Sequence, residues 1–374
     1  MSRQPQKTEA VILGGGPAGL AAAIALRQRG IDCVVIEALP PIIDKGCGEG
    51  LMPDALAVLR DLGVEIPQED GHPFRGIRFL DAQHQVDASF PGGQGLGVRR
   101  TSLHRLIAAR AQAAGVDVLW ESRVQQINRG SLVVNQAKID FRWLIGADGQ
   151  ASGVRRWAGL SEVREETLRF GFRTHYKIAP WSEYVEVHWG AAGQMYITPV
   201  APECVCAAFL SKDPKFDRAT VLDGFPEIAR RLKSAPVISR VRGAVSATRR
   251  LRRVQHDSVA LIGDASGSAD AITGEGLATS FRQAVALASA IEKKDLRHYG
   301  RAHQEIGRLP HAMGKLMLTM DRWPALERRA LQALSSEPGF FRHLLSVHVG
   351  KESFGRFVLR QGPRFGWSLL AAEL

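Results

Sequence analysis

The stretch "VILGGGPAGLAAAIALRQRGIDCVVIEA" (Val11–Ala38) decides how this chain is read. An apolar run enters three glycines, an alanine-rich segment follows, and a second apolar run ends on one acid. The pattern predicts strand, tight turn, helix and strand. Gly14, Gly16 and Gly19 fit G-x-G-x-x-G. The first glycine permits the turn, the second lets backbone approach a pyrophosphate, and the third lets the helix pack close to the strand. The helix N-terminus then faces the negative charge. Glu37 ends the second strand, where an acid can accept hydrogen bonds from an adenosine ribose. Pro17, Ala18 and Ala38 flank these positions and complete the candidate dinucleotide site. The alternative is a buried strand–turn–helix that happens to be rich in glycine.

Outward from this stretch, the 374 residues are enough for two intimately joined lobes. Hydrophobic residues make up 45% and charged residues 23%, ordinary for a soluble globular protein. No apolar run reaches the roughly 20 residues that span a bilayer. The start, MSRQPQKTEA, lacks the apolar core of a signal peptide, so a cytoplasmic location is the default expectation. The net charge of +11 favours an anionic or carrier-bound substrate or a membrane surface. No nucleic-acid module is present, and the arginines are scattered rather than laid along one helix, which argues against nucleic acid. Cys33, Cys204 and Cys206 read as core residues, and no metal site is expected from their spacing.

Along the chain, 51–62 predicts a helix beside Pro53, and 72–98 is strand-like. "TSLHRLIAARAQAAGV" predicts a helix capped by Thr101 or Ser102 and stopped at Gly115. Short strands follow to "FRWLIGADG". Segments over 167–249 alternate in strand fashion, as in "EYVEVHWG" and "CVCAAFL". "SVALIGDA" is a buried strand, 275–292 a helix, and the last seventy residues are helical by pattern. No internal repeat or low-complexity linker occurs, so the lobes are interleaved.

Two further strand-to-glycine turns, "LIGADGQASGVRRWAGL" (Leu144–Leu160) and "VALIGDASGSADAITGEGL" (Val259–Leu277), carry a family resemblance. With "GVRRTSLHRLIAARAQAAGV" they stand in the order of single-FAD flavoproteins of the para-hydroxybenzoate-hydroxylase fold, which the chain resembles over nearly its whole length. That group includes ring monooxygenases, flavin-dependent halogenases and geranylgeranyl reductases. The resemblance implies an α/β fold, with a Rossmann-like FAD-binding domain interleaved with an antiparallel-sheet substrate domain and C-terminal helices. Its implied boundaries are 1–165 (with an insertion near 66–98) and 253–300 for the FAD domain. The substrate sheet takes 166–252 and the helical region 301–374. It further implies that Asp264 accepts from the ribityl hydroxyls, with Gly263 near the pyrophosphate. Arg100 points to the FAD phosphates or ribityl, and Asp148 with Gly149 sits over the FAD. "TGEGL" (Thr273–Leu277) contributes Gly274, Glu275, Gly276 and Leu277. Its backbone N–H groups at a helix start stabilise negative charge on a reduced flavin.

The reaction is less fixed. Ser266, Gly267 and Ala271 depart from the ring-hydroxylase pattern, Ala271 standing where those relatives usually carry proline, whereas "KGCGEGLMP" (Lys45–Pro53) resembles the loop of the reductase branch. Cys47 and Glu49 are the catalytic candidates in that loop. The W-x-W-x-I-P string of halogenases is absent, as is a second nucleotide fingerprint, so NAD(P)H would visit transiently or electrons would come from a partner protein. The leading expectation is an NAD(P)H-dependent monooxygenase acting on a small hydrophobic molecule of polyketide, aromatic or isoprenoid type. The alternative is reduction of a C=C bond from reduced FAD. A halogenase and a non-catalytic flavin binder come further down. The basic, apolar stretch 338–362 is a candidate for peripheral membrane contact as well as for packing on the FAD domain.

Overall fold

The computed structural model describes residues 6–215 and 217–371. The chain opens with β1 (Lys7–Leu13), α1 (Pro17–Arg27) and β2 (Cys33–Ile36), as the opening stretch predicts. It continues through β3 (Gly50–Leu51), α2 (Pro53–Asp61), β4 (His72–Phe74), β5 (Gly76–Leu80), β6 (Gln85–Ser89) and β7 (Gly95–Gly97). Next come α3 (Arg100–Ala113), β8 (Asp117–Leu119), β9 (Val124–Asn128), β10 (Ser131–Val134), β11 (Ala137–Gly146) and α4 (Gly153–Trp157). The middle of the chain supplies β12 (Val163–Tyr176), β13 (Val185–Gly190), β14 (Gly193–Ala201), β15 (Cys204–Ser211), α5 (Arg218–Asp223), α6 (Pro226–Leu232) and β16 (Arg242–Leu251). After β17 (Gln255–His256), β18 (Val259–Leu261) and β19 (Gly267–Ser268), the rest is helical. Its helices are α7 (Gly276–Glu292), α8 (Leu296–Arg322), α9 (Pro324–Ser336), α10 (Pro338–His348) and α11 (Phe354–Ala371).

The first sheet runs β17-β18-β11-β1-β2-β8, with β18, β11, β1, β2 and β8 mutually parallel. Its central strands are continuous apolar runs because helices cover both faces, so Ala10 to Ile12 and Val34 to Val35 are fully buried. β1, β11 and β18 end side by side, and each leads into a glycine turn. Ala147 N–H donates to Leu13 O at 2.8 Å, and Ile262 N–H to Gly146 O at 2.9 Å. Gly14, Gly149 and Gly263 all take positive φ. This carboxyl edge of a parallel sheet is where such folds bind ligands.

The second sheet runs β19-β16-β12-β15-β14-β13-β5-β6. It is antiparallel except where β5 lies parallel to β13, with Val185 opposite Ile77. β5 and β6, from the expected insertion near 66–98, therefore extend the substrate sheet and not the FAD domain. Phe79, Val86, Val187 and Trp189 on these strands pack against Met317, Leu331, Phe341 and Leu345 of the C-terminal helices. The helical tail thus seals the outer end of this sheet.

Neither Thr101 nor Ser102 caps α3. The helix begins at least two residues earlier, after Arg99, where the Glu49 carboxylate accepts the Arg100 N–H at 2.9 Å. An acid from a distant loop does the work of a cap and meets the positive end of the helix dipole.

The third fingerprint glycine is under the tightest packing. A Cβ on Gly19 would stand 1.9 Å from Gly14 O, a backbone atom that cannot swing aside. Gly19→Ala should therefore destabilise the protein by about 1–3 kcal/mol, the usual cost of overpacking. An unchanged urea midpoint would contradict this.

Candidate active site at the meeting of the two sheets

One cavity of about 1120 Å³ runs from the glycine turns to the C-terminal helices. Fourteen expected site residues line it: Gly14, Gly16, Pro17, Ala18, Glu37, Ala38, Cys47, Glu49, Arg100, Asp148, Asp264, Gly274, Gly276 and Leu277. Its other end is apolar, with Phe74, Phe79, Val187, Met313, Met317, Leu334 and Phe341.

The nucleotide end fits a dinucleotide on three counts. A Cβ built on Gly16, Gly149, Gly274 or Gly276 meets no protein atom within 4 Å, so backbone faces open space there. Arg100 is 7% exposed, yet its Nε is buried with no hydrogen-bond partner. Burial pulls its proton affinity down, a cost that a diphosphate would offset. Glu37 holds the turn by accepting Gly15 N–H at 2.6 Å and Leu39 N–H at 2.8 Å, and its oxygens keep acceptor capacity. His104, which sequence reading missed, is buried and donates through Nε2 to Gly15 O at 2.9 Å. Burial pushes that imidazole toward its neutral form.

Three expected residues, Asp148, Gly263 and Glu275, act differently from their sequence reading, and Gly19 acts as read. Asp148 presents backbone to the cavity, but its carboxylate accepts from Ser152 Oγ and from the N–H groups of Gly153 and Val154, so it caps α4. Gly263 lies behind the wall. Its N–H donates to Gln283 Oε1 at 2.8 Å, and a Cβ there would stand 2.8 Å from that of Ala18. Gly19 packs helix on strand without lining the cavity. Glu275 turns its carboxyl away from the cavity into the protein, where it is 1% exposed. Both of its oxygens lack hydrogen-bond partners, and His348 Nδ1 stands 3.7 Å off. Burial raises this acid above its ordinary value of 4.5. The other face of that imidazole is engaged, since His348 Nε2 donates to Thr273 O at 3.1 Å.

Asp264 lies where an acceptor is needed, in an ion pair with Lys45 at 3.0 Å. Lys45 begins the Cys47 loop, so the loop and the "GDA" turn share a charge contact that the sequence did not reveal. Ala271, the position without the hydroxylase proline, sits in a short turn fixed by another route. Asp270 accepts Ile272 N–H at 3.0 Å and Thr248 Oγ1 at 3.1 Å, and it pairs with buried Arg169 at 3.3 Å.

Glu49 organises the loop. It is 3% exposed with φ +61, and its carboxylate accepts from His175 Nε2 at 2.6 Å and from Arg100 N–H. Arg173 stands 3.6 Å away and also pairs with Asp44. Glu49, His175 and Cys206 offer ligand atoms within 4.8 Å of one another. Arg173 already supplies the positive charge there, and burial holds the Cys206 thiol protonated, so the group reads as a closed ion cluster. Cys206 is thus more than core filler: its thiol donates to Cys47 O at 3.8 Å. Cys47 itself accepts Glu49 N–H at 3.4 Å, and burial raises its thiol in spite of Arg100 nearby. Cys47 therefore faces the cavity as a neutral S–H.

Two outcomes check this geometry. A Cβ on Gly16 points into open space in the cavity, so Gly16→Val should fold normally and purify without FAD. Full flavin content, read by absorbance, would contradict the assignment. Glu275→Gln tests the buried acid. Its raised folded value means that stability falls as pH climbs above about 4.5, because folding must hold a proton or bury a charge. The variant should match the parent below pH 4.5 and exceed its Tm progressively toward pH 8. A lower Tm at pH 8 would show that the carboxylate is charged and paired.

Comparison with known proteins agrees with this arrangement. The family model described as FAD binding domain matches residues 7–294. The menaquinone reductase of Mycobacterium tuberculosis is 30% identical over 188 residues, a stretch that is 46% of this chain and 46% of that protein's length. The digeranylgeranylglycerophospholipid reductase of Thermoplasma acidophilum is 26% identical over 77% of this chain and 79% of its own. A putative FAD-dependent monooxygenase of Bacillus subtilis is 28% identical over 58% and 65% respectively. Among solved structures, a flavoprotein/dehydrogenase from Cytophaga hutchinsonii superposes with a TM-score of 0.82 at 18% identity, covering 98% of this chain and 100% of that one. At that identity the likeness shows the fold. With a family match over most of the chain and a cavity whose glycines and buried, unpaired Arg100 Nε suit the cofactor, this protein belongs to the FAD-binding-domain family.

Proposed function

We propose that this chain is a flavin-dependent reductase that saturates a C=C bond of a long-chain lipophilic substrate, with NAD(P)H as the visiting reductant. The observation that carries the reading is the cavity beyond Cys47. Its wall is Ile77 and Phe79 of β5, Val185 and Val187 of β13, and methionine, leucine and phenylalanine of the C-terminal helices, a lining suited to an isoprenoid-type chain. The similarity to reductases whose names specify prenylated lipids and a quinone supports the same class of substrate.

Reduced FAD supplies the electron pair and one hydrogen that a C=C bond takes up. The protein's part is to bind, orient and deliver the second proton. Arg100 and the helix start at Pro17, which both border the cavity, would hold the negative end of the cofactor. The N–H of Gly276 at the start of α7 presents a positive helix end to the cavity, whereas the Gly274 N–H is held by Ala271 O at 3.0 Å. Cys47 offers an S–H that burial keeps protonated, so it can donate to the second carbon and be refilled from solvent. Glu49, held by His175 and Arg100, keeps the Cys47 loop in place and is itself committed as an acceptor. It is therefore a positioning residue.

Monooxygenation, the leading expectation from sequence, is the second reading. The likeness to a putative monooxygenase favours it, and the apolar cavity accommodates a hydrophobic substrate for either reaction.

Oxygen separates the two. Dithionite-reduced enzyme should be reoxidised under nitrogen by a polyprenyl lipid without a redox-active ring, such as geranylgeranyl diphosphate, with the saturated chain seen by mass spectrometry. Cys47→Ser should slow that reoxidation by about 10²-fold, the low end of general acid effects, and leave flavin reduction by NADPH unchanged. Strictly oxygen-dependent turnover, with an oxygen atom in the product, would overturn the reductase reading.

A further inference from the structure

We propose that α11 and the cavity mouth beside it form a docking surface for an anionic bilayer, through which a lipid-borne substrate enters the cavity. The inference rests on the lipophilic-substrate reading above. Three residues carry it first: Leu316 on α8 with Phe354 and Val358 on α11. All three line the cavity, yet they are 41%, 44% and 44% exposed. They form its rim, apolar toward both the interior and the outside. Leu359, next to them, is 82% exposed, the highest value among the large hydrophobic residues described. An apolar rim continuous with an apolar cavity has a physical use. A chain that passes along it from lipid to protein never exposes its methylenes to water.

Charge identifies what covers this rim. The α11 sequence, FGRFVLRQGPRFGWSLLA, contains three arginines and no acid. Arg356 and Arg360 are exposed, one turn apart, on either side of Leu359 in sequence. The acid that precedes the helix, Glu352, is already engaged by His343 at 3.0 Å. An acid-free helix with exposed leucine, phenylalanine and arginine has the composition of a segment that lies in the headgroup layer. No helix among the described residues is long and apolar enough to cross a membrane, so the contact is peripheral. A second copy of this chain would bring the same arginines to the same face and repel it.

Vesicle cosedimentation of the full-length, FAD-loaded protein tests this without any turnover. The protein should bind vesicles of equal parts phosphatidylcholine and phosphatidylglycerol, bind pure phosphatidylcholine weakly, and leave the former at high salt. Each arginine near such a surface is worth about fivefold, so Arg356→Glu with Arg360→Glu should weaken binding by about thirtyfold or more. Leu359→Ser should weaken it severalfold, and all these variants should keep normal NADPH-driven flavin reduction. Absent binding overturns the proposal, and so does binding indifferent to both the arginines and Leu359. Loss of a dimer in the variants, seen by analytical ultracentrifugation without any vesicle binding by the parent, assigns the face to a second copy and also overturns it. Vesicle binding without anaerobic C=C reduction would sink the reductase reading alone. Reduction without vesicle binding would sink only the docking surface.

Discussion

A single buried carboxylate ties the halves of this protein together. Glu49 belongs to the loop after β2, accepts the first N–H of α3, and takes a hydrogen bond from His175 on β12 of the other sheet. A charge 3% exposed is tolerated only with partners, and Glu49 draws them from two separate segments, Arg100 on α3 and both Arg173 and His175 on β12. Its left-handed backbone fixes the turn that puts Cys47, two residues earlier, on the cavity wall. The distance between nucleotide edge and substrate sheet therefore depends on one ion cluster. Removing one partner would leave the others charged and unsatisfied in the interior.

The cavity gets its two characters from the two sheets. Parallel strands end in a row of glycine turns, where backbone N–H groups and Arg100 gather beside open space. Apart from Arg173 on β12, the second sheet and the C-terminal helices contribute mostly apolar side chains, many of them methionine and phenylalanine. Asp270 stands at the border, and its bonds to Arg169, Thr248 and Ile272 hold the turn that leads into α7. Those bonds constrain the segment that a proline constrains in related hydroxylases, so the departure at Ala271 does not leave the turn loose.

The features legible in the sequence were those whose cause is local. Gly14, Gly16 and Gly19 act through their own lack of a side chain, and the apolar runs "AVIL" and "CVVI" announce a doubly covered sheet by themselves. The errors arose where a distant partner decides. Glu49 caps α3 in place of Thr101 or Ser102, a contact 51 residues away in sequence. Asp148 and Glu275 sit in motifs that imply cofactor contact, yet the first is drawn into capping α4 and the second into the interior beside His348. Lys45, His104 and His175 carried no local signal, since each matters only through what folding sets beside it. The membership of β5 and β6 in the substrate sheet is likewise a matter of parallel pairing with β13, which alternation along one strand cannot specify.

A structure of the protein with FAD bound tests the central claim most directly. The account predicts the diphosphate against Gly14, Gly16 and Arg100, the ribityl near Asp264, and the isoalloxazine between Cys47 and the Gly274–Gly276 turn. The apolar end under the C-terminal helices would stay free for a substrate. An isoalloxazine lying in that apolar end, or turned out to solvent away from Cys47, would contradict it.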